Sequence, residues 1–256
     1  MRTKQEMMDE MLFEAVKENN VEEVRGLIAL GANVNENSGL CYSTFNQTPL
    51  HWSCLIGNRN DAHITKMLVE AGADVNAKDS DGWTPLYWAI SEEKVDNAKI
   101  LIEAGADVNA KSIDGNSPLR EAILQCNVKL VSLLIKHGAD VNSQDNNGNT
   151  LLHNIISDIV VDIYMPKDIL NMLIKAGANL QSKNFKNETP LEFLKRLVGE
   201  DEGFRNGTVM KSCKKLKKIL EKAIHESEMK SKAEEEKHEE LLKNRILAEM
   251  KVALGN

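Results

Sequence analysis

At 256 residues, with Lys+Arg 32 against Asp+Glu 39 and a formal net charge of −7, the chain has room for one or two globular domains and no overall basic field to neutralise a phosphate backbone, which sets nucleic acid aside as a default partner. Cys41, Cys54, Cys126 and Cys213 lie far apart without a Cys-x-x-Cys pair, and the histidines are not clustered, so neither a zinc site nor a disulfide framework is predicted and the thiols read as reduced in a cytosol-like compartment. The opening Met1-Arg-Thr-Lys-Gln-Glu-Met-Met has no apolar signal core, and no run approaches the roughly eighteen apolar residues of a spanning helix, so no membrane association is expected.

In chain order, Leu12 to Asn35 shows helical apolar spacing and closes on Gly31-Ala-Asn-Val-Asn35, which predicts an N-terminal capping unit over residues 1–35. Glu36 to Gln47 reads as an enlarged loop carrying Leu40, Tyr42 and Phe45. Thr48-Pro49 opens a second unit, whose inner turn is lengthened by three residues between Gly57 and Met67. Thr84-Pro85 and Ser117-Pro118 open two regular units, and Thr150-Leu151 a fifth with six extra, unusually apolar residues around Ile159 to Met165. Thr189-Pro190 opens a sixth, interrupted from Glu200 to Thr208, with Val209 to Ile224 expected to supply its displaced second helix. Beyond it, a basic run from Lys211 to Lys222 precedes an acidic one from Glu226 to Glu240, as expected of one or two charged helices with a solvated middle.

Thr84, Ser117 and Thr150 are spaced by steps of 33 residues, and 21 residues separate the Thr or Ser from the next Gly in both regular units. Within a unit, Thr or Ser is an N-cap, Pro fits the first helical position where its missing N–H is harmless, and Gly105 or Gly138 is a left-handed helix stop. Asp79-Ser-Asp-Gly82, Ser112-Ile-Asp-Gly115 and Asp145-Asn-Asn-Gly148 are turn sequences whose Gly accepts positive φ. Such a unit is helix, turn, helix, hairpin loop, and its apolar face can be buried only by stacking on its neighbours.

These residues resemble the ankyrin repeat, a 33-residue unit with a Thr-Pro-Leu-His signature. The resemblance covers roughly residues 8 to 198 and implies an all-α solenoid: a capping repeat over 1–35, repeats through 36–198, a displaced last helix over 199–225 and a charged helical tail over 226–256. It also gives His51 and His153 a scaffold role, linking the loops of adjacent repeats.

Enzymatic chemistry finds no support in the residues. No nucleophile keeps register with His51 and His153. Asp145-Asn-Asn-Gly fails as a calcium loop, with Ser143 and Asn154 where acids are needed, and no phosphate loop, dinucleotide fingerprint or zinc-protease pair is present. No cofactor or metal is expected. Cys54 and Cys126 read as buried small apolar side chains.

The resemblance implies protein partners, held by hairpin tips and the exposed face of the first helices. Mapped onto this chain, the tips are Ser80, Asp81 and Trp83; Ile113, Asp114 and Asn116; Asn146, Asn147 and Asn149; and Phe185, Lys186 and Glu188. The helix positions are Ser91, Glu92, Leu124 and Gln125. Trp83, Ile113 and Phe185 stand out because large apolar side chains at exposed tips disfavour solubility unless a partner covers them or they fold back on a neighbouring repeat. Trp52 and Trp88, one residue past the His slot, are expected to pack between repeats. The insertion at Ile159 to Met165 is either an extended first helix or a second binding knob.

Acidic residues outnumber basic ones before residue 210, favouring a basic patch on the partner. The expected function is therefore that of a monomeric interaction scaffold or adaptor, with association through the tail as an alternative state. Its insertions and isoleucine- and lysine-rich wording are compatible with an effector delivered into a host cell by an intracellular bacterium. The alternative reading is an inhibitory or substrate-recruiting subunit of a partner enzyme.

Overall fold

The computed structural model describes residues 3–37, 46–57, 62–160, 166–199 and 207–253; among them every regular element is a helix, and bridging between extended segments is limited to Gln144 and Thr150. In chain order come α1 (Lys4–Lys17), α2 (Val21–Ala29), α3 (Pro49–Leu55), α4 (His63–Glu70), α5 (Pro85–Ser91), α6 (Val95–Glu103), α7 (Pro118–Leu124), α8 (Val128–Lys136), α9 (Leu151–Val160), α10 (Lys167–Lys175), α11 (Pro190–Val198) and α12 (Gly207–Ala253). Local chemistry starts and stops them. The hydroxyls of Thr84, Ser117 and Thr189 accept the N–H of Tyr87, Arg120 and Glu192, with Pro85, Pro118 and Pro190 in the first turn. At the other end, Gly72, Gly105, Gly138 and Gly177 turn the chain at φ 86°, 91°, 85° and 90°.

Two compact units result, residues 1–155 with 164–179, and residues 156–163 with 180–256. In the first, α1, α3, α5 and α7 pack successively as one layer, and α2, α4, α6, α8 and α10 as another. Leu50, Leu68, Leu86, Leu101, Leu119 and Leu134 between them are fully buried. This is an all-α solenoid of stacked helix pairs.

The asparagine that closes Gly-Ala-Asp-Val-Asn ties each repeat to the next. Asn35 Nδ2 donates to Gly72 O at 3.2 Å while its Oδ1 accepts the Asp74 N–H at 2.7 Å. Asn76, Asn109 and Asn142 repeat both bonds with Gly105 and Asp107, Gly138 and Asp140, and Gly177 and Asn179. At the start α1 substitutes for a preceding repeat: Gln5 Nε2 donates to Gly31 O and Asp9 Oδ1 accepts from Asn33 N–H. Loop backbone groups of one repeat are thus paired by a side chain of the repeat before it, which keeps the register.

One expectation is corrected. Cys54 is buried, but Cys126 is only half-buried, because it stands at the α7–α8 turn with φ 53°, in the left-handed slot that Glu93 fills one repeat earlier. The loop residues Leu40, Tyr42 and Phe45, the extra residues after Gly57 and the 161–165 part of the insertion lie outside the described residues. α9 itself has ten residues, against seven in α3, α5 and α7.

In the second unit α11 packs on α12, where Cys213, Leu216 and Leu220, spaced three and four apart, are buried with Leu194. α12 runs 47 residues through position 225 without a break. Its burial ends at Ile224, and residues 225–243 are exposed. Ion pairs at i and i+4, Lys217–Glu221, Lys222–Glu226 and Glu239–Lys243, lie along it. Among the described residues no helix is long and apolar enough to cross a membrane.

Candidate functional site

Three successive hairpin tips of the first unit share one backbone turn, the N–H of Asp79, Ser112 and Asp145 each donating to the carbonyl four residues on, and two of them are closed by a carboxylate. Asp79 Oδ1 accepts the N–H of Asp81 and Trp83, and Asp145 Oδ1 that of Asn147 and Asn149, so each carboxylate closes its own turn. The tips are also bonded to one another. Ile113 N–H donates to Asp81 O at 3.0 Å, and Asn146 Nδ2 donates to Ile113 O at 3.0 Å. Lysines bridge them at the base, Lys78 Nζ to Lys111 O at 3.3 Å and Lys111 Nζ to Gln144 O at 2.6 Å. Gly115 serves twice: its φ is +79°, and a Cβ there would lie 2.6 Å from Asn146 Oδ1. The Ile113 backbone is thus fixed on both sides while its side chain is 64 % exposed.

Of the tip and helix residues singled out from sequence, Ser80, Ile113, Asp114, Gln125 and Asn147 are exposed on the first unit, and Asp81, Ser91, Glu92, Asn116 and Leu124 are half-buried. Trp83 is half-buried too, because its ring lies on Tyr87, with centroids 4.5 Å apart and planes 29° apart, and edge-on to Trp88 at 5.1 Å. Phe185, 78 % exposed, and Lys186 belong to the second unit. There Asn184 Oδ1 accepts the N–H of Lys186 and Glu188, and Arg196 makes a two-point ion pair with Glu188. That guanidinium holds the Glu188 carboxyl below its ordinary range.

Sequence reading missed Tyr87, Asp79 and Glu121 as the buried partners of the tip aromatics. Tyr87 Oη donates to Glu121 Oε2 at 2.8 Å, and Trp88 Nε1 to Asp79 Oδ2 at 2.9 Å. Burial, then the charge of Glu121, pushes the Tyr87 phenol well up, so it stays a donor. A signal existed: Trp83 and Tyr87 are four apart, and Tyr87 fills the slot of His51.

His51 itself is structural. The N–H of Thr48 donates to its Nδ1 at 3.1 Å, which leaves Nε2–H to donate to Trp83 O at 3.1 Å, one repeat on. Burial pushes the imidazole below its ordinary range, and this neutral form is the one the two bonds require. His153 Nδ1 meets Thr150 N–H in the same way at 3.2 Å. Trp52 is half-buried, edge-on to Phe13 at 5.7 Å with Lys17 Nζ 5.6 Å over its ring. The Cys54 thiol, pushed up to about 12 by burial, is protonated at neutral pH. Among the described residues no group of three His, Cys, Asp or Glu side chains stands close enough to hold a metal.

The stacked pairs, the asparagine ties and the bonded tips agree with comparison to known families, where models described as ankyrin repeats, in three copies and in many copies, match residues 12–112 and 121–156, together more than half of the chain. The chain belongs to the ankyrin-repeat family. Ankyrin repeats generally mediate protein–protein interaction, and proteins built of them are generally non-enzymatic scaffolds. Similar stretches occur in the Notch-regulated ankyrin repeat-containing proteins of Homo sapiens and Mus musculus, each 34 % identical over 76 residues, which is 30 % of this chain and 63 % of theirs. Protein VAPYRIN-LIKE of Medicago truncatula is 42 % identical over 40 residues, 16 % of this chain and 9 % of that protein. The chain thus spans less than two thirds of each of these ankyrin relatives.

Proposed function

We propose that this ankyrin-repeat chain is an interaction scaffold that holds a partner protein on the hairpin tips 79–83, 112–116 and 145–149 and on the adjoining ends of α5 and α7. The carrying observation is the bonding of neighbouring tips through both peptide groups of Ile113, which leaves a large apolar side chain exposed on a backbone that has little freedom left to lose. Preorganisation of this kind lowers the entropy lost on binding, and an apolar anchor on a rigid platform is the usual form of an interface hot spot. Ser80, Asp114, Asn147 and Gln125 supply the polar rim. Phe185 and Lys186 form a separate contact point on the second unit.

A photo-reactive residue placed at Ile113, and in a second protein at the exposed Lys129 of α8, tests this in the native cell. Cross-linking of a defined partner from position 113 and not from 129 is the expected result, with the Ile113→Ala chain binding that partner about tenfold more weakly. Equal labelling from both positions would remove the tips as the interface. Identity of the partner also decides the finer roles: a host protein would support delivery as an effector, and an enzyme would support an inhibitory or recruiting subunit.

A further inference from the structure

Two buried carboxylates bracket the aromatic cluster of the first unit, and among the described residues the donors hydrogen-bonded to them are neutral. Glu121, 8 % exposed, accepts from Tyr87 Oη at 2.8 Å and from Gln125 Nε2 at 2.8 Å. Asp79, 5 % exposed, accepts from Trp88 Nε1 at 2.9 Å and from the N–H of Asp81 and Trp83. Neutral donors satisfy the lone pairs without cancelling the charge, so two negative charges remain in a region of low dielectric. Glu121 and Asp114 push the Tyr87 phenol up, and Arg120 opposes them. The half-buried indoles of Trp83 and Trp88 adjoin these charges, Trp88 through its bond to Asp79 and Trp83 by stacking on Tyr87, and indole faces carry the negative lobes of the ring quadrupole.

An anionic group would be repelled here, and a purely apolar one would gain ring area alone. A cation gains from ring faces and carboxylates together. Among cations, a guanidinium is planar, weakly hydrated and able to stack on indole, whereas an ammonium holds its water more strongly. We infer that the Trp83–Trp88 face is a subsite for an arginine side chain of the partner protein. The inference rests on the scaffold reading given above and adds the chemistry by which that surface selects its partner. Arginine stacks on the indoles, while Asp79 and Glu121, whose lone pairs the protein's own donors occupy, attract it through charge alone.

The test uses the full chain and three labelled nonapeptides of alternating sequence, Arg-Ser, Lys-Ser and citrulline-Ser, titrated by fluorescence anisotropy at fixed salt. Affinity is expected to fall in that order, with tryptophan emission changing on binding of the arginine peptide. Glu121→Gln removes the charge while an amide can still serve Tyr87 and Gln125, and it should weaken arginine-peptide binding by about tenfold. Asp114→Asn, at an exposed tip where folding is not at stake, should weaken it by about two- to threefold, and Glu103→Gln on exposed α6 by less than about twofold. Citrulline binding as tightly as arginine would overturn the inference. So would equal losses from Glu103→Gln and Glu121→Gln, which would reduce the effect to the general field of an acidic protein. If the peptides fail while a partner cross-linked at position 113 still weakens with Ile113→Ala, the arginine subsite falls and the scaffold stands. If neither responds, both fall.

Discussion

Two neighbouring junctions of the first unit share one backbone pattern and differ in chemistry. Where α3 and α4 meet α5 and α6, Ser53 Oγ lies 2.9 Å from Thr65 Oγ1, and Asn97 Nδ2 donates to Thr65 Oγ1 at 2.7 Å and to Ser53 O at 3.2 Å, all three residues being buried. One repeat on, Ala89, Ala98 and Leu130 fill the equivalent positions without exposed surface. The contrast continues at the turn. Asn127 caps α8 by accepting the Leu130 N–H, whereas Lys94, 2 % exposed in the corresponding slot, caps nothing on α6 and sends its Nζ to the carbonyl of Ile56 at the end of α3. A cation there suits both a carbonyl at the helix end and the negative end of the helix dipole. Stacking in this family therefore fixes where a side chain sits and not how it is satisfied. The polar junction holds only while its bonds stay matched, and Asn97 Oδ1 has no partner among the described residues.

The largest expected effect lies in the apolar junction. Leu130→Ala should cost ~2–5 kcal/mol in urea unfolding, by loss of burial and creation of a cavity. A cost as small as that of a surface change would show that the helices collapse to fill the gap. Next comes Lys94→Met, which keeps most of the volume and removes the charged donor to Ile56; about 1.5–3 kcal/mol is expected, with faster hydrogen exchange at the end of α3. No change in that segment would mean water replaces the ammonium. Asn97→Leu puts the neighbouring junction's leucine into the polar one, leaving Ser53 and Thr65 bonded to each other. It removes the orphan oxygen and two modest bonds together, so stability should move by no more than ~1 kcal/mol either way; a loss of several would show that the polar set specifies the packing there.

The same slot also separates the two junctions by pH. His51 links the second repeat to Trp83, and Tyr87 links the third to Glu121. The folded imidazole titrates below its ordinary value of 6.5, so between the two values the unfolded chain holds more protons. The contribution of His51 is then fully present above pH ~6.5 and lost as pH falls through the folded value. Melting temperatures from pH 7 to 5 should therefore decline, and His51→Gln, which can keep the bond to Thr48, should flatten part of that slope. An unchanged slope would assign it to other groups. The smallest effect belongs to the tips: Ile113→Ser should change stability by less than ~0.5 kcal/mol while weakening partner binding. A larger loss would make Ile113 a packing element.

Legibility followed the range of each interaction. Caps, N1 prolines and left-handed glycines act within four residues, and all were readable at Thr84, Pro85 and Gly105. Ile113 and Phe185 were readable as tip residues from turn chemistry, but whether they stay exposed or fold back on a neighbour was decided by the structure, where both are exposed. Cys126 was misplaced because its burial depends on a φ of 53° that residue type does not announce. Trp83 is half-buried for a reason that lies four and five residues away, in rings that can reach it only once α5 has formed and turned them toward the hairpin.

By itself, then, the sequence determined the 33-residue period, the capped starts and glycine stops of the regular repeats and the all-α solenoid, because capping, proline geometry and apolar spacing are local or periodic terms that add up along the chain. Tertiary structure alone decided the ties between repeats. Ile113 to Asp81, Asn146 to Ile113, Lys94 to Ile56 and Tyr87 to Glu121 span roughly one repeat each, and a hydrogen bond needs donor and acceptor to meet within about 3 Å. Composition says that such groups exist; only stacking brings them within reach. The aromatic face between Asp79 and Glu121 arises in that way, from residues 79 to 121 that no single repeat contains.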